Sequence, residues 1–205
     1  MKRLLIIGAG GHGAVVADAA LESGNWTEIA FLDDDPSGAS VLDWPVVGGL
    51  EDLKTHLDAE TEVVVAVGDN ERRLNILDSI TSNSGTLVSV VHPRACVSRS
   101  ATVGEGAVLC AGAMVNARAI LGRGCIVNTV ATVDHDCVIG DGSHISPGAN
   151  LAGGVAVGNC AWVGIGAAIK EGVRIGSNAV IGAGAAVISD VADGEKVGGV
   201  PAQRL

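Results

Sequence analysis

A chain of 205 residues holds one large domain or two small ones, and 48% hydrophobic content supplies a real core. Only Phe31 and three tryptophans are aromatic, so the core is aliphatic; thirty glycines with five prolines exclude collagen, and the hydrophobicity excludes a disordered chain. The net charge of −10 is lopsided, with 5 Lys/Arg against 15 Asp/Glu in residues 1–90 and 8 against 8 in residues 91–205, and an acidic domain does not suit nucleic acid.

In chain order, LLIIGAGGHG reads as a buried strand running into a glycine turn, with no secretory signal, and VVADAALES as a helix. WTEIAFLDDD is a second strand ending in acids, LEDLKTHL is helical, TEVVVAVGDN is a strand and turn, and ERRLNILDSI is a helix. Alternating strands and helices predict a small parallel sheet, a Rossmann-like domain over residues 1–90. Gly8, Gly10 and Gly13 satisfy G-x-G-x-x-G, with Asp33 twenty residues beyond Gly13. Such glycines let phosphate approach backbone N–H groups at a helix N-terminus. A full dinucleotide domain needs a second half that 90 residues do not supply, so a nucleotide-linked ligand fits better than NAD; a purely structural turn is the other alternative. His12 is placed inside this turn.

From Val91 to Ala192 the chain divides into seventeen consecutive hexads, each beginning with Val, Leu or Ile and carrying Ala eleven times at its fifth position. Neither the 3.6-residue period of a helix nor the two-residue period of a simple strand produces this pattern. It fits short strands separated by turns, three to a triangular coil, stacked for roughly 27 Å at about 4.8 Å per layer. A parallel β-helix over residues 91–205 follows. Cys125 and Cys137 fall at the small inward position, which leaves Cys137 no role as a nucleophile although it lies close to His135. No run approaches the roughly 18 apolar residues of a membrane span. Five cysteines without C-x-x-C or zinc spacing suit reduced thiols in the cytoplasm.

With both halves placed, the chain resembles the bacterial sugar O-acyltransferases of the sialic acid O-acetyltransferase type. The branch it is most similar to N-acetylates UDP- or GDP-linked 4-amino sugars. The resemblance rests on GAGGHG at 8–13, FLDD at 31–34, AVGDN at 66–70, VDHDCVIGDGSHISPGA at 133–149 and GGVPAQR at 198–204. It implies a left-handed coil, acetyl-CoA as co-substrate with no metal, and a homotrimer with sites between subunits. It also implies that His135 is the catalytic base and that Asp136 raises its basicity. His144, Gly153, Ile165 and Ala183 match positions that meet the coenzyme. Gly10, Gly11 and His12 match the acceptor-binding turn, and Asp33, Asp34 and Gly68 match positions facing nucleotide and sugar.

The residues carry part of this alone. Positions eighteen apart stack on neighbouring coils, so Ala117 and Gly153 flank His135 and leave room beside its ring. His144 lies half a coil away, on the order of 15 Å by strand rise, so a site using both histidines draws them from different subunits. The expected chemistry is direct transfer, with neutral amine attacking the thioester as His135 removes a proton and the Gly153 N–H holds the oxyanion. Lys170, Arg174, Lys196 and Arg204 are candidates for the coenzyme phosphates. The alternatives are O-acetylation of sialic acid or another sugar hydroxyl, and a non-catalytic nucleotide-sugar sensor. A metal hydratase would need three convergent histidines, and the spacing of His92, His135 and His144 does not supply them.

Overall fold

The computed structural model describes residues 2–35 and 40–205. Strand β1 (Arg3–Ile7) buries Leu4 through Ile7 without alternation, as a central strand of a parallel sheet must. It runs into helix α1 (Gly11–Ser23), which ends at Gly24 in the left-handed region, where the Gly24 N–H closes the last turn on Leu21. Strand β2 (Glu28–Leu32) leads to a small hairpin, β3 (Ser40–Val41) with β4 (Trp44–Pro45), which no strand signal in the sequence had marked. A single 3₁₀ turn at Leu50–Asp52 and helix α2 (Leu53–His56) precede β5 (Thr61–Val65). Helix α3 (Asn70–Ser82) is capped by Asp69, whose carboxylate accepts the Arg72 N–H at 2.7 Å, and β6 (Thr86–Leu87) closes the unit. The sheet order is β2-β1-β5-β6, all parallel.

The rest of the chain is a left-handed β-helix of about six turns. Two-residue strands pair with those eighteen residues away, as Val108–Leu109 does with Val90–Val91 and with Ile126–Val127. Three flat sheets result, and they enclose a column in which Val115, Val133 and Leu151 alternate with Ala113, Ala131 and Ala149. Each fully buried aliphatic side chain contributes about 1.5–3 kcal/mol, set against the entropy of ordering its backbone. From Gly106 to Gly184 the fourth residue of each hexad turns its corner in the left-handed region, usually glycine but also Arg118, Val130, Asp136, Cys160 and Asn178.

The seventeenth hexad is corrected by the structure. After Val187 the side closes early: Ile175 bridges Val191, and Val180–Ile181 pair with Lys196–Val197, an offset of sixteen. Val191 therefore takes the inward position that an unbroken register gives to Asp193. It reads as a permissible fifth-position residue, which masks the two-residue deletion.

The first unit docks on one face of the prism. Val90, Val108 and Ile126, stacked outward on that face, share a core with Leu4, Ile6, Val16, Ala17 and Phe31. His144 and Trp162 continue the same column.

Candidate functional site

His135 sits at the corner that follows the strand Thr132–Val133. Its backbone N–H donates to Asp134 Oδ1 at 2.8 Å, and Asn116 Nδ2, one coil earlier, donates to the same oxygen at 2.7 Å. The next residue, Asp136, occupies the left-handed corner position at φ 59°, a conformation that Asp tolerates better than most side chains. That geometry brings Asp136 Oδ2 to 2.7 Å from His135 Nδ1. Arg118, also one coil earlier, clamps Asp136 in a bidentate pair through one guanidinium edge, Nε to Oδ1 at 2.6 Å and Nη2 to Oδ2 at 2.7 Å. The Arg118 hydrogen bonds first, and the His135 contact second, hold the Asp136 carboxyl well below the usual carboxylate range. The imidazole is thus oriented with Nδ1 toward a fixed anion and Nε2 directed away from it.

The ring lies directly on Gly153. A Cβ at that position would meet His135 Cε1 at 2.5 Å and Nε2 at 2.6 Å. The Ala152 N–H bonds to Ile169 and the Gly154 N–H to the His135 carbonyl, whereas the Gly153 N–H has no partner among the described residues. A basic nitrogen and an unused backbone donor therefore share one corner. Cys137 is fully buried, donates to the Ala152 carbonyl at 3.2 Å and has its thiol pushed up by burial, so it offers no nucleophile there.

At the carboxyl ends of β1, β2 and β5 a cleft is lined by Gly8, Leu32, Asp33, Asp34, Val67 and Arg72. Gly8 has φ 107°, closed to most side chains. Gly10 and Gly11 are exposed, and Gly10 is the N-cap of α1. His12 belongs to the first turn of α1 rather than to the loop, a correction to its sequence placement. Asp33 is partly occupied already: Oδ2 accepts the Ala9 N–H at 2.6 Å and Oδ1 the Asp35 N–H at 2.9 Å, so it braces the glycine turn. Asp34 accepts the Leu50 N–H at 2.8 Å and pairs with Arg72 at 3.1 Å. Gly68 lies in the turn between β5 and α3.

His144 is only 6% exposed because the first unit covers it. Its ring centroid is 4.4 Å from Trp162 and 6.4 Å from His12. Asn128 Oδ1 is used by the Thr129 N–H, so the Asn128 amide NH₂ faces His144 Nε2 at 3.0 Å, and the neutral ring carries its proton on Nδ1. That Nδ1, His12 Nε2 and Ser146 Oγ are buried with no partner among the described residues. Burial, and then the charge of Arg73, lower His12 to about 4. The same causes, with a further contribution from His12, lower His144 to about 3. Both rings are neutral at neutral pH.

The expected site residues thus form four groups in one chain, one of them Gly10, Gly11, Asp33, Asp34 and Gly68, which lie just after β1, β2 and β5. His135, Asp136 and Gly153 share one corner, while His12 and His144 meet between the two units. Ile165 and Ala183 stack, exposed, on another corner, where the Gly184 N–H reaches the Ile165 carbonyl at 2.8 Å. Asn116, Arg118 and Asp134 escaped the sequence reading, although the eighteen-residue spacing places two of them directly against Asp134 and Asp136. Among the described residues no cluster of His, Cys, Asp or Glu is arranged to hold a metal, and no helix is long and apolar enough to cross a membrane.

Comparison with known proteins draws these features together. Residues 3–80 match the PglD N-terminal domain family. A UDP-N-acetylbacillosamine N-acetyltransferase from Bacillus subtilis (strain 168) is 35% identical over 120 residues, covering 54% of this chain and 52% of its own length, so the match spans about half of that curated relative. The acetyltransferase domain of PglB from Neisseria gonorrhoeae FA1090, solved in complex with acetyl coenzyme A, superposes with a TM-score of 0.97 at 43% identity, covering 100% of this chain and 99% of that one. PerB from Caulobacter crescentus, solved in complex with CoA and GDP-perosamine, gives 0.95 at 39% identity, covering 100% and 98%.

Proposed function

The chain belongs to the PglD-like family of nucleotide-amino-sugar N-acetyltransferases, and from that premise we propose that it moves the acetyl group of acetyl-CoA onto the 4-amino group of a UDP- or GDP-linked sugar. The observation that carries the reading is the corner at His135, where an imidazole held through Nδ1 by Asp136 stands over Gly153. Acetyl-CoA supplies the activated acyl group. His135 takes the proton that the amine loses as its nitrogen bonds to the acyl carbon, and the sulfur departs with the electron pair of the broken C–S bond. The Gly153 N–H is placed to receive the acyl oxygen as charge develops on it. Arg118 keeps Asp136 ionised, so Nδ1 stays protonated and Nε2 remains the acceptor.

In this reading residues 1–90 hold the acceptor, with Gly10, Gly11, His12, Asp33, Asp34 and Gly68 around it. Residues 91–205 hold the coenzyme along His144, Gly153, Ile165 and Ala183. Because those residues lie on separate faces of one prism, a complete site needs a second copy, and we assign a homotrimer with three interfacial sites. The enzyme works in the cytoplasm, where acetyl-CoA is available and thiols stay reduced.

The test is to offer UDP-, GDP- and dTDP-linked 4-amino sugars with acetyl-CoA, follow thiol release, and determine the product bond by NMR. An amide at the 4-position of one of these sugars is the expected product. An ester on a sugar hydroxyl, or turnover only with free sialic acid, would move the chain to O-acetylation.

A further inference from the structure

Helix α3 lies along one corner of the β-helix, and its side chains step down the coils in order. Leu77 packs on Gly106 and Gly124, and Leu74 on Gly124 and Gly142. One helical turn rises about 5.4 Å against about 4.8 Å per coil, so the two repeats stay matched over this length. At the N-terminal end of the helix the contacts become polar. Arg73 Nε donates to the Gly124 carbonyl at 2.8 Å and Nη2 to the Gly142 carbonyl at 2.6 Å. Asn70 Nδ2 continues to the next coil, reaching the Cys160 and Ala161 carbonyls at 2.9 and 3.1 Å. Arg73 Nη1 turns the other way, to the carbonyls of Val67 and Gly68 at 2.8 and 3.2 Å. Those two residues form the turn at the rim of the strand-end cleft.

Arg73 is fully buried, and its donors go to carbonyl oxygens and the Asn70 side chain, with no carboxylate among the described residues in salt-bridge contact. A desolvated cation without a counterion is costly. Burial brings its pKa down to about 10, so it stays charged at neutral pH. A docking role alone would be met by another leucine like Leu74 or Leu77. Only a planar fork with five donors joins a turn on one side to two coils on the other.

We propose that Arg73 is a positioning residue for the acceptor: it holds the turn at Gly68 in register with the coil corners at Gly124 and Gly142, with Asn70 as a second strut. This rests on the acceptor-site reading of the cleft. Arg73 also acts electrostatically on His12 and His144, the pair that bridges the same two units, so its charge is felt where the acceptor turn meets the coils.

The test uses Arg73→Lys, which keeps the charge but loses the fork. The acceptor KM should rise about tenfold or more while the acetyl-CoA KM stays within about twofold. Amide hydrogen exchange should quicken at residues 66–72 and stay slow in the coils. Wild-type acceptor KM and exchange in the folded variant would overturn the proposal, as would equal rises in both KM values with faster exchange throughout. Should Arg73→Lys fail to fold, Asn70→Ala removes the second strut and one of the Arg73 hydrogen bonds while leaving the fork on the coils, and should give the same split at about three- to tenfold; an unchanged acceptor KM there would also overturn it. If the wild-type enzyme acetylates no nucleotide-linked amino sugar, the function reading fails instead, and the exchange pattern alone decides the role of Arg73.

Discussion

Gly153 determines where the His135 ring can lie, because any side chain there would occupy the position of Cε1 and Nε2. Its own backbone is in an ordinary conformation, and the colliding atoms belong to an exposed ring that can swing aside. Gly153→Ala should therefore leave the melting temperature within a few degrees of wild type while displacing the proposed base. A misplacement of that size costs on the order of 10²-fold in kcat. Wild-type kcat in a folded Gly153→Ala would mean that the ring does not act from this position. The pair His135 and Gly153 was legible from the eighteen-residue stacking rule. Asn116 and Arg118 obey the same rule yet were missed, because stacking shows which residues are neighbours and not which hydrogen bonds they choose. His12 was placed in a loop because Gly11 hides the helix start, its missing side chain giving no apolar period. Asp33 looked like a free acceptor, and no pattern in the letters shows that Ala9 and Asp35 already use its oxygens.

The hexad period identified the β-helix because it reports two independent requirements, a branched residue at position one and a small one at position five. One corner adds a third requirement. Gly104, Gly122, Gly140 and Gly158 stack there as second-position residues, and a Cβ on Gly140 would meet Gly158 C and Asn159 N at 2.6 Å. These are backbone atoms of the next coil, so no rotamer change relieves the clash. Gly140→Ala should cost about 2–3 kcal/mol, roughly 5–10 °C in Tm at this chain length. Circular dichroism melting checks it, and an unchanged Tm would show that the coils can separate locally. The shortened last side was illegible for the reason that makes the period so regular: Val191 satisfies either of two registers, and only pairing with Ile175 selects one.

At the scale of the whole molecule, the sequence showed two units but not how they dock. Arg73 and Asn70 read as ordinary polar positions of a surface helix, because docking partners 51 to 90 residues away leave no local period. Docking also buries His144 and brings it to His12. The strand-end cleft, the His135 corner and the Ile165–Ala183 corner then belong to separate regions of one chain, which is why the proposed site is intersubunit. All of this converges on one nitrogen. The most direct measurement compares His135→Ala with wild type on the accepted amino sugar, under saturating acetyl-CoA, with melting curves and oligomeric mass recorded for both. His135 is exposed and takes no part in the core, so fold and assembly should be unchanged while kcat falls by roughly 10²–10⁴, the range of general-base catalysis. A folded His135→Ala enzyme that acetylates at the wild-type rate would contradict the account.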